Sequence, residues 1–304
     1  MFYGKHSVDL ILTVSSISAP VFLIAAVGVL WCRLGYDYPT EFITRLVMGF
    51  GVPCLIFTTL MRADITTAAL STLSFATVIA YGGVLAVSWI VVSILALDRR
   101  SFLAPLVFGN TGNLGLPLVF FAYGDLGLGY GIVVFALMAI MSFTIGIWMI
   151  AGQASPLSIV KEPIVGASLM GVLFLSQGWQ TPVWLTNALD LIGQTAIPLM
   201  LMTLGVAVAR LSPGRMGQAL GLSVAKFIVS LGAGILTGLW FDLPPGAFGV
   251  LVVQLITPVA VTSYLLAERY RVDAGAVAGL VVVSTLLSVI TLPLTLWFLL
   301  QMVV

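Results

Sequence analysis

Long apolar stretches follow one another along the whole chain, separated by short groups of charged and turn-forming residues. About 20 helical residues cross a hydrocarbon core of roughly 30 Å. The pattern therefore predicts ten transmembrane helices, of which the sixth is the shortest. Their approximate limits are 9–32, 40–61, 69–97, 101–121, 127–151, 162–177, 183–209, 214–240, 245–267 and 274–302.

The composition supports this class. Of the 304 residues, 61% are hydrophobic and only 8% are charged. A soluble domain of this length needs far more charge to cover its surface. We therefore expect an all-α polytopic membrane protein whose main surroundings are the lipid bilayer. The net charge of +1 offers no basic patch, which argues against nucleic acid as a partner.

Several other kinds of site find no support in the sequence. Cys32 and Cys54 lie in separate spans, so we interpret them as packing residues rather than as a disulfide. No Cys/His metal spacing, phosphate loop or HExxH-type motif occurs, so we expect no metal, no cofactor and no direct coupling to ATP. The first span is too long for a signal peptide, and Pro20 interrupts it.

The basic residues between the spans indicate the orientation. Most of them fall at alternate turns, and the positive-inside rule assigns those turns to the cytoplasm. Both termini are then expected on the non-cytoplasmic side of a cell membrane, which we take to be a bacterial inner membrane. The residues at the cytoplasmic turns are Arg33, Arg99, Arg100, Lys161, Arg210, Arg215, Arg269 and Arg271, against Lys5 and Arg62 opposite.

Ten spans divide into two sets of five, and an odd number of spans per half inverts the second half relative to the first. A shift of 145 residues brings Pro53 onto Pro198 and Asn113 onto Pro258. The fourth and ninth spans are therefore interrupted at matching places. We expect inverted repeats at 1–151 and 162–304, a cytoplasmic linker at 152–161, and crossed, broken helices in spans four and nine.

The interruption in the fourth span reads "FGNTGNLGLPL" (108–118). Each of its three glycines weakens a helix by nearly 1 kcal/mol relative to alanine, and Pro117 removes an amide donor. We expect this segment to unwind and Pro117 to begin the second half of the helix. Unwound backbone within a bilayer must face protein or a wet cavity. A simple kink is the alternative interpretation.

The ninth span contains "QLITPVAVTSYLLA" (254–267). Thr257 followed by Pro258 is typical of a helix start, with a hydroxyl N-cap and a proline in the first helical position. A half-helix that begins there would direct its amide groups and positive dipole end at an anion. Gln254 lies one turn earlier and either coordinates a substrate or ion, or caps freed carbonyl groups.

These motifs resemble those of a known family. "FGNTGNLGLPLVFFAYG" and "TPVAVTSYLLAERY" are similar to the fourth-span and ninth-span motifs of the auxin efflux carrier family, which includes PIN-type exporters and bacterial malonate-transporter relatives. "LVMGFGVPCLIF" and "ALDLIGQTAIPLMLMTLGVAVA" resemble its second and seventh spans. The resemblance implies two inverted five-helix repeats, as in sodium/proton antiporters and bile-acid transporters. It also implies a scaffold of spans 1, 2, 6 and 7 that forms a homodimer, and a transport domain of spans 3–5 and 8–10 that moves as an elevator.

The resemblance also suggests where a substrate binds. It implicates Asn110, Thr111 and Pro117 in span four and Pro258 in span nine, with Val52, Pro53 and Cys54 facing the substrate from the scaffold. The sequence departs from the family at "TTAALSTLSF" (66–75), which lacks an acid, and at Thr262, where bacterial relatives often have asparagine. The full set of candidate substrate residues is Val52, Pro53, Cys54, Asn110, Thr111, Gly112, Asn113, Pro117, Gln254, Thr257, Pro258 and Thr262.

Two charged residues lie inside predicted spans, and such residues indicate function. At 1.5 Å per residue, Lys226 is about 18 Å from the cytoplasmic face and Asp190 about 10 Å from the opposite face. These depths nearly coincide in a core of roughly 30 Å. We expect either that Lys226 pairs with Asp190 or that Lys226 meets the crossing of the broken helices and balances substrate charge.

The leading hypothesis is a secondary-active or facilitative transporter of small carboxylates, of the auxin or malonate kind. One alternative is a sodium- or proton-coupled symporter that uses Asn110, Asn113 and Gln254 as ion ligands. A membrane ligand sensor without transport is a second. An intramembrane enzyme would need a catalytic dyad or metal set within the spans, and the sequence contains none.

Overall fold

The structure, a computed structural model, describes residues 3–63, 65–151, 163–212 and 214–301. Its first half contains α1 (Tyr3–Arg33), α2 (Thr40–Leu46), α3 (Val52–Arg62), α4 (Thr67–Ile94), α5 (Arg99–Val107), α6 (Leu116–Met141) and α7 (Ile147–Ala151). Its second half contains α8 (Pro163–Gln177), α9 (Val183–Gln194), α10 (Ala196–Arg210), α11 (Met216–Trp240), α12 (Pro245–Leu255), α13 (Val261–Arg269) and α14 (Ala274–Gln301). There are also three π-helical turns. Val47–Gly51 joins α2 to α3, Thr111–Gly115 precedes α6, and Ser142–Gly146 joins α6 to α7. The predicted linker 152–161 lies outside the described residues.

Within the described residues, seven helical stretches are long and apolar enough to cross a membrane, and α8 and α12 are shorter apolar helices. An all-helical, polytopic membrane protein is therefore confirmed. Large apolar side chains such as Ile94, Trp184 and Leu236 are exposed on the outer faces of the bundle, where lipid is their natural solvent. The seven stretches are Leu12–Arg33, Thr40–Arg62, Ala68–Ile94, Thr111–Ala151, Val183–Arg210, Met216–Trp240 and Ala274–Gln301.

The longest of these stretches is broken inside α6. Gly124 has φ 64° and ψ −153°, a conformation that is essentially restricted to glycine. It lies between the predicted fourth and fifth spans, and it divides the 41-residue stretch into two helices. The chain therefore turns here on a single residue without a loop.

The helices pack in two main groups. In one, α1 lies against α10, and α3 lies against α8 and α9. The first contact is close because a side-chain carbon at Gly205 would collide with the carbonyl oxygen of Ala25. The contact of α3 with α8 is close for the same reason, because a Cβ at Gly171 would lie 2.8 Å from Cβ of Leu60. In the other group, α11 packs against α4, α12 and α14, and α12 packs against α6.

Candidate functional site: the crossing of two interrupted helices

The first interruption follows α5. Asp98 caps the start of this helix by accepting hydrogen bonds from the amides of Arg100 and Ser101 at 3.3 and 3.1 Å. The helix ends at Val107, and Phe108 is extended (φ −95°, ψ 118°). The carbonyl oxygen of Asn110 then accepts the amides of both Leu114 and Gly115 at 3.1 Å. The helical course therefore resumes at Thr111.

The second interruption separates α12 from α13. The Thr257 hydroxyl donates to the carbonyl oxygen of Gln254 at 2.7 Å, so it satisfies the end of α12. Pro258 lies in the extended segment that follows. The next helix begins at Val261, with Ala260 (φ −66°, ψ 138°) at its N-cap.

These observations correct two predictions about helix starts. Thr257 and Pro258 are not the N-cap and first residue of a half-helix, because the Thr257 hydroxyl is engaged by the helix before it. Pro117 does not begin the second half of the fourth span either. It is the second residue of α6, and the π-helical turn Thr111–Gly115 comes before it.

The non-helical segments 108–110 and 257–260 run antiparallel to each other, and we call them the crossover. Gly109 and Val259 form a β-bridge, and the amide of Asn110 donates to the carbonyl oxygen of Pro258 at 2.7 Å. The amide of Val259 donates to Oγ of Ser284 in α14 at 3.0 Å. Backbone groups that each helix loses at its break are thus satisfied by the other segment and by a neighbouring hydroxyl, as a bilayer interior requires.

Buried polar side chains surround the crossover. Asn110, Thr111, Gln254 and Thr257 are all at least 95% buried. Among the described residues, Nδ2 of Asn110, Oγ1 of Thr111 and Oε1 of Gln254 have no hydrogen-bond partner. Buried polar atoms without partners are costly and uncommon. The crossover therefore offers a bound molecule two donors, the side-chain amide of Asn110 and the hydroxyl of Thr111. It also offers one acceptor, Oε1 of Gln254.

The other candidate residues lie at varied distances from this cluster. Gly112 and Pro117 are buried and Asn113 is half-buried, all on the same helical segment as Thr111. Thr262 is exposed on the first turn of α13. Val52 is buried, and Pro53 and Cys54 are half-buried, at the start of α3, where Gly51 faces Ala196 of α10.

A cavity with a volume of ≈ 770 Å³ lies between α3, α10 and α6. Leu55 and Thr58 of α3 and Pro198 of α10 form one wall, and Phe120 and Phe121 of α6 form the other. We call it the α3–α6 cavity. It borders the residues that follow Val52–Cys54 in α3 rather than those three themselves. Its volume falls within the range of roughly 300–1,000 Å³ that is usual for small-molecule sites.

A family described as "Membrane transport protein" matches residues 13–162 and 152–296, which together cover nearly all of the chain. The chain belongs to this family of membrane transport proteins. The predicted relation to the auxin efflux carriers is thereby confirmed. The protein is a transporter and not an enzyme.

Two archaeal relatives carry similar names. An uncharacterized transporter of Methanocaldococcus jannaschii is 26% identical over 211 residues, which are 64% of this chain and 67% of the relative. An uncharacterized transporter of Methanothermobacter thermautotrophicus is 27% identical over 275 residues, which are 83% of this chain and 86% of the relative. Both names agree with the family's assignment as transporters.

Lys226 of the transporter lies at the crossover. Its side chain is buried, and Nζ donates to the carbonyl oxygen of Leu106 at 3.2 Å, near the end of α5. It borders a small cavity together with Thr257 and Pro258. The predicted pair of Lys226 with Asp190 is wrong, because Asp190 is engaged by Arg62, with 2.6 Å between Oδ2 and Nη2. The other expectation, that Lys226 meets the crossing of the broken helices, agrees with this position.

The sequence alone does not identify some residues of the transporter's site. Ser284 supports the crossover, but a single serine in an apolar span resembles many others that only bond to their own helix. Arg62 and Asp190 both line the α3–α6 cavity, and 128 residues separate them in the chain. The available signal was the presence of opposite charges on the same predicted side of the membrane.

Proposed function

We propose that the protein is a secondary-active or facilitative carrier of small organic anions, of the carboxylate class, which bind at the crossover. One observation carries this proposal: the crossover holds buried, unpartnered donors, and the buried amino group of Lys226 borders a cavity with Thr257 and Pro258 of the same crossover. The segments 108–118 and 254–262 contain no acidic residue. A carboxylate would satisfy Asn110 and Thr111 and would balance the charge of Lys226.

The same proposal includes ten spans arranged as two inverted repeats. The two halves align when residue numbers are shifted by 145, and some observed contacts join residues that this alignment makes equivalent. Gly51 and Ala196 are equivalent under this shift, and a Cβ at Gly51 would lie 3.4 Å from Cβ of Ala196. Contacts between equivalent residues are expected beside a pseudo-two-fold axis.

A second pair of contacts supports the repeat. Gly205 packs on Ala25 in one half of the arrangement, and Leu60 packs on Gly171 in the other. Leu60 and Gly205 are equivalent under the shift, and the equivalent of Ala25 falls next to Gly171. The contact of α1 with α10 therefore has its counterpart in the contact of α3 with α8.

We further propose that the carrier works as an elevator. The scaffold would comprise spans 1, 2, 6 and 7, and the transport domain spans 3–5 and 8–10. The packing of α1 with α10, of α3 with α8 and α9, and of α11 with α4, α12 and α14 supports this division. The α3–α6 cavity lies between members of the two groups and would admit substrate to one side of the crossover. In this arrangement the termini lie outside the cytoplasm, the membrane is a bacterial inner membrane, and the scaffolds form a homodimer.

A coupled symporter of the bile-acid-transporter type is the second candidate. The observation that favours it is Oε1 of Gln254, a fully buried acceptor without a partner, which is suited to a proton-bearing group or a cation. Its Nε2 donates to the carbonyl oxygen of Gly131 at 3.4 Å, which fixes the orientation of the amide. The two candidates differ in whether an ion gradient drives uptake.

Reconstituted protein tests both candidates. Liposomes containing the purified carrier are assayed with labelled malonate, malate, lactate and indole-3-acetate, with and without sodium and proton gradients. We expect saturable uptake of at least one carboxylate and loss of it in Asn110→Ala and Thr111→Val. Ser71→Ala, which changes an exposed hydroxyl on α4, is the matched control. If Asn110→Ala and Thr257→Ala both leave the uptake of the best substrate unchanged, the crossover is not the binding site.

A further inference from the structure

The end of α5 leaves a carbonyl group that its own helix does not satisfy. In a continuous helix the carbonyl oxygen of Leu106 accepts the amide four residues later. That amide belongs to Asn110 and donates instead to Pro258 across the crossover. Nζ of Lys226, at 3.2 Å, takes its place. Lys226 thus supports the broken helix end directly.

Hydroxyl groups line the cavity beside the lysine. The small cavity that it borders has room for about one water molecule, at ≈ 10 Å³. Ser223, Ser284, Ser288 and Thr291 also line this cavity. Oγ of Ser223 is buried and has no partner among the described residues. Carbonyl groups at a broken helix end are typical ligands of the coupling cation in transporters with this architecture.

The lysine has no acidic partner in the described part of the chain. The ion pairs there are Arg45–Glu41, Arg62–Asp190 and Arg215–Asp273. An isolated ammonium group in a bilayer core is costly. The carboxyl end of a helix carries about half a unit of negative charge, which favours a cation beside it. The surroundings of Lys226 are therefore those of a cation site rather than those of an ion pair.

We propose that the ammonium group of Lys226 is a tethered cation that occupies a monovalent-cation site behind the crossover, so that transport requires no sodium ion. α11, which carries Lys226, packs with α12 and α14 and would move together with the crossover. The positive charge then accompanies the bound anion through the membrane. This last step rests on the proposed function, whereas the cation site itself does not.

The transport experiment compares three cations. Uptake of labelled malonate, or of the best carboxylate found, is measured with sodium, potassium or N-methylglucamine at equal concentration on both sides of the liposome. For the wild type, the uptake rates in the three cations are expected to differ by no more than about twofold. Lys226→Ala leaves the cation site vacant, so its rate of uptake in N-methylglucamine should fall by roughly tenfold or more. Sodium should restore part of this rate. Lys226→Met, which fills the space without charge, should lose uptake in all three.

A second experiment needs no substrate. Thermal unfolding of the detergent-purified protein is followed by tryptophan fluorescence in choline, sodium or ethylammonium chloride. Sodium or ethylammonium should raise the Tm of Lys226→Ala by a few degrees, with saturation, and should leave the wild type unchanged, because ligand binding stabilises only a vacant site. Arg45→Ala, which removes an exposed cation from an exposed ion pair, is the control and should show no specific response.

The outcomes separate the two proposals. The tethered-cation proposal is overturned if wild-type uptake rises tenfold with sodium, or if Lys226→Ala transports at the wild-type rate in N-methylglucamine. It is also overturned if neither cation shifts the Tm of Lys226→Ala. If no carboxylate is transported by any form while the Tm response is present, the proposed substrate class is wrong and the cation site stands.

Discussion

The backbone amide of Asn110 and the carbonyl oxygen of Pro258 are joined by a hydrogen bond of 2.7 Å, although 148 residues separate them. This bond connects two interrupted helices at their breaks. It replaces the bond that Asn110 would make in a continuous helix, so neither segment can unwind favourably without the other. The break between α5 and α6 and the break between α12 and α13 are therefore one structural unit.

The first prediction concerns Gly109, where the two segments are closest. A Cβ there would collide with Oγ1 of Thr257 and lie 2.9 Å from its carbonyl oxygen. Gly109→Ala should force the crossover apart at a cost of about 1–3 kcal/mol. We expect a lower Tm and a loss of carboxylate uptake. Gly82→Ala, in open space on an exposed helical face, should leave both unchanged. Equal behaviour of the two variants would contradict the close crossing.

The positions of both breaks could be predicted from the sequence, because glycine and proline disfavour helix wherever they occur. The helix starts could not. A hydroxyl followed by proline fits an N-cap, yet Thr257 bonds back to Gln254 and the next helix begins at Val261. Local sequence does not show which of two helix ends a threonine serves when both ends are near it.

The ion pair of Asp190 shows a second limit. Depth along a span follows from counting residues, and this count predicts similar depths for Lys226 and Asp190. Counting does not give the direction in which a side chain points or the neighbour that it meets. Asp190 meets Arg62 of α3, and Lys226 meets the end of α5. Those contacts depend on how distant spans pack.

The second prediction concerns this ion pair, which borders the α3–α6 cavity. Arg62 is about half exposed, so the pair adds little to stability, and its removal should leave the Tm nearly unchanged. Arg62→Gln should raise the KM for carboxylate uptake by about twofold to fivefold, the effect of an exposed charge interaction. Asp190→Asn should lower this KM, because it frees the guanidinium group of Arg62 from its ion pair.

The control for this pair is Arg45→Gln, since Arg45 and Glu41 form an ion pair that is more exposed and lies away from the cavity. Initial rates are measured at several substrate concentrations and at two ionic strengths. The differences in KM should shrink as salt screens the charges. A change in KM of the same sign in Arg62→Gln and Asp190→Asn would show that Arg62 does not attract the substrate.

The third prediction concerns Gly124, at the turn inside α6. Its φ of 64° with ψ −153° is accessible to glycine and strained for any other residue. Gly124→Ala should destabilise the protein by about 1–3 kcal/mol. No neighbour lies within 4 Å of the added Cβ, so the loss would come from the backbone and not from a collision. A Tm equal to that of Gly82→Ala would argue against this backbone conformation.

The fourth prediction tests the elevator. A Cβ at Gly129 in α6 would lie 3.6 Å from Cβ of Ala63 at the end of α3, within the range of a disulfide. Gly129 belongs to the proposed transport domain, and Ala63 belongs to the proposed scaffold. In a background with Cys32 and Cys54 replaced by alanine, oxidation of Ala63→Cys/Gly129→Cys should stop uptake, and reduction should restore it.

The matched pair for this experiment lies within the scaffold. Gly51→Cys and Ala196→Cys would place their Cβ atoms about 3.4 Å apart, so they should also form a disulfide. If the transport domain moves against a fixed scaffold, this second cross-link should leave uptake within about twofold of the reduced form. Undiminished uptake with Ala63 and Gly129 fully cross-linked would contradict movement between these two helices. Equal inhibition by both cross-links would instead place the moving boundary inside the scaffold, between α3 and α10.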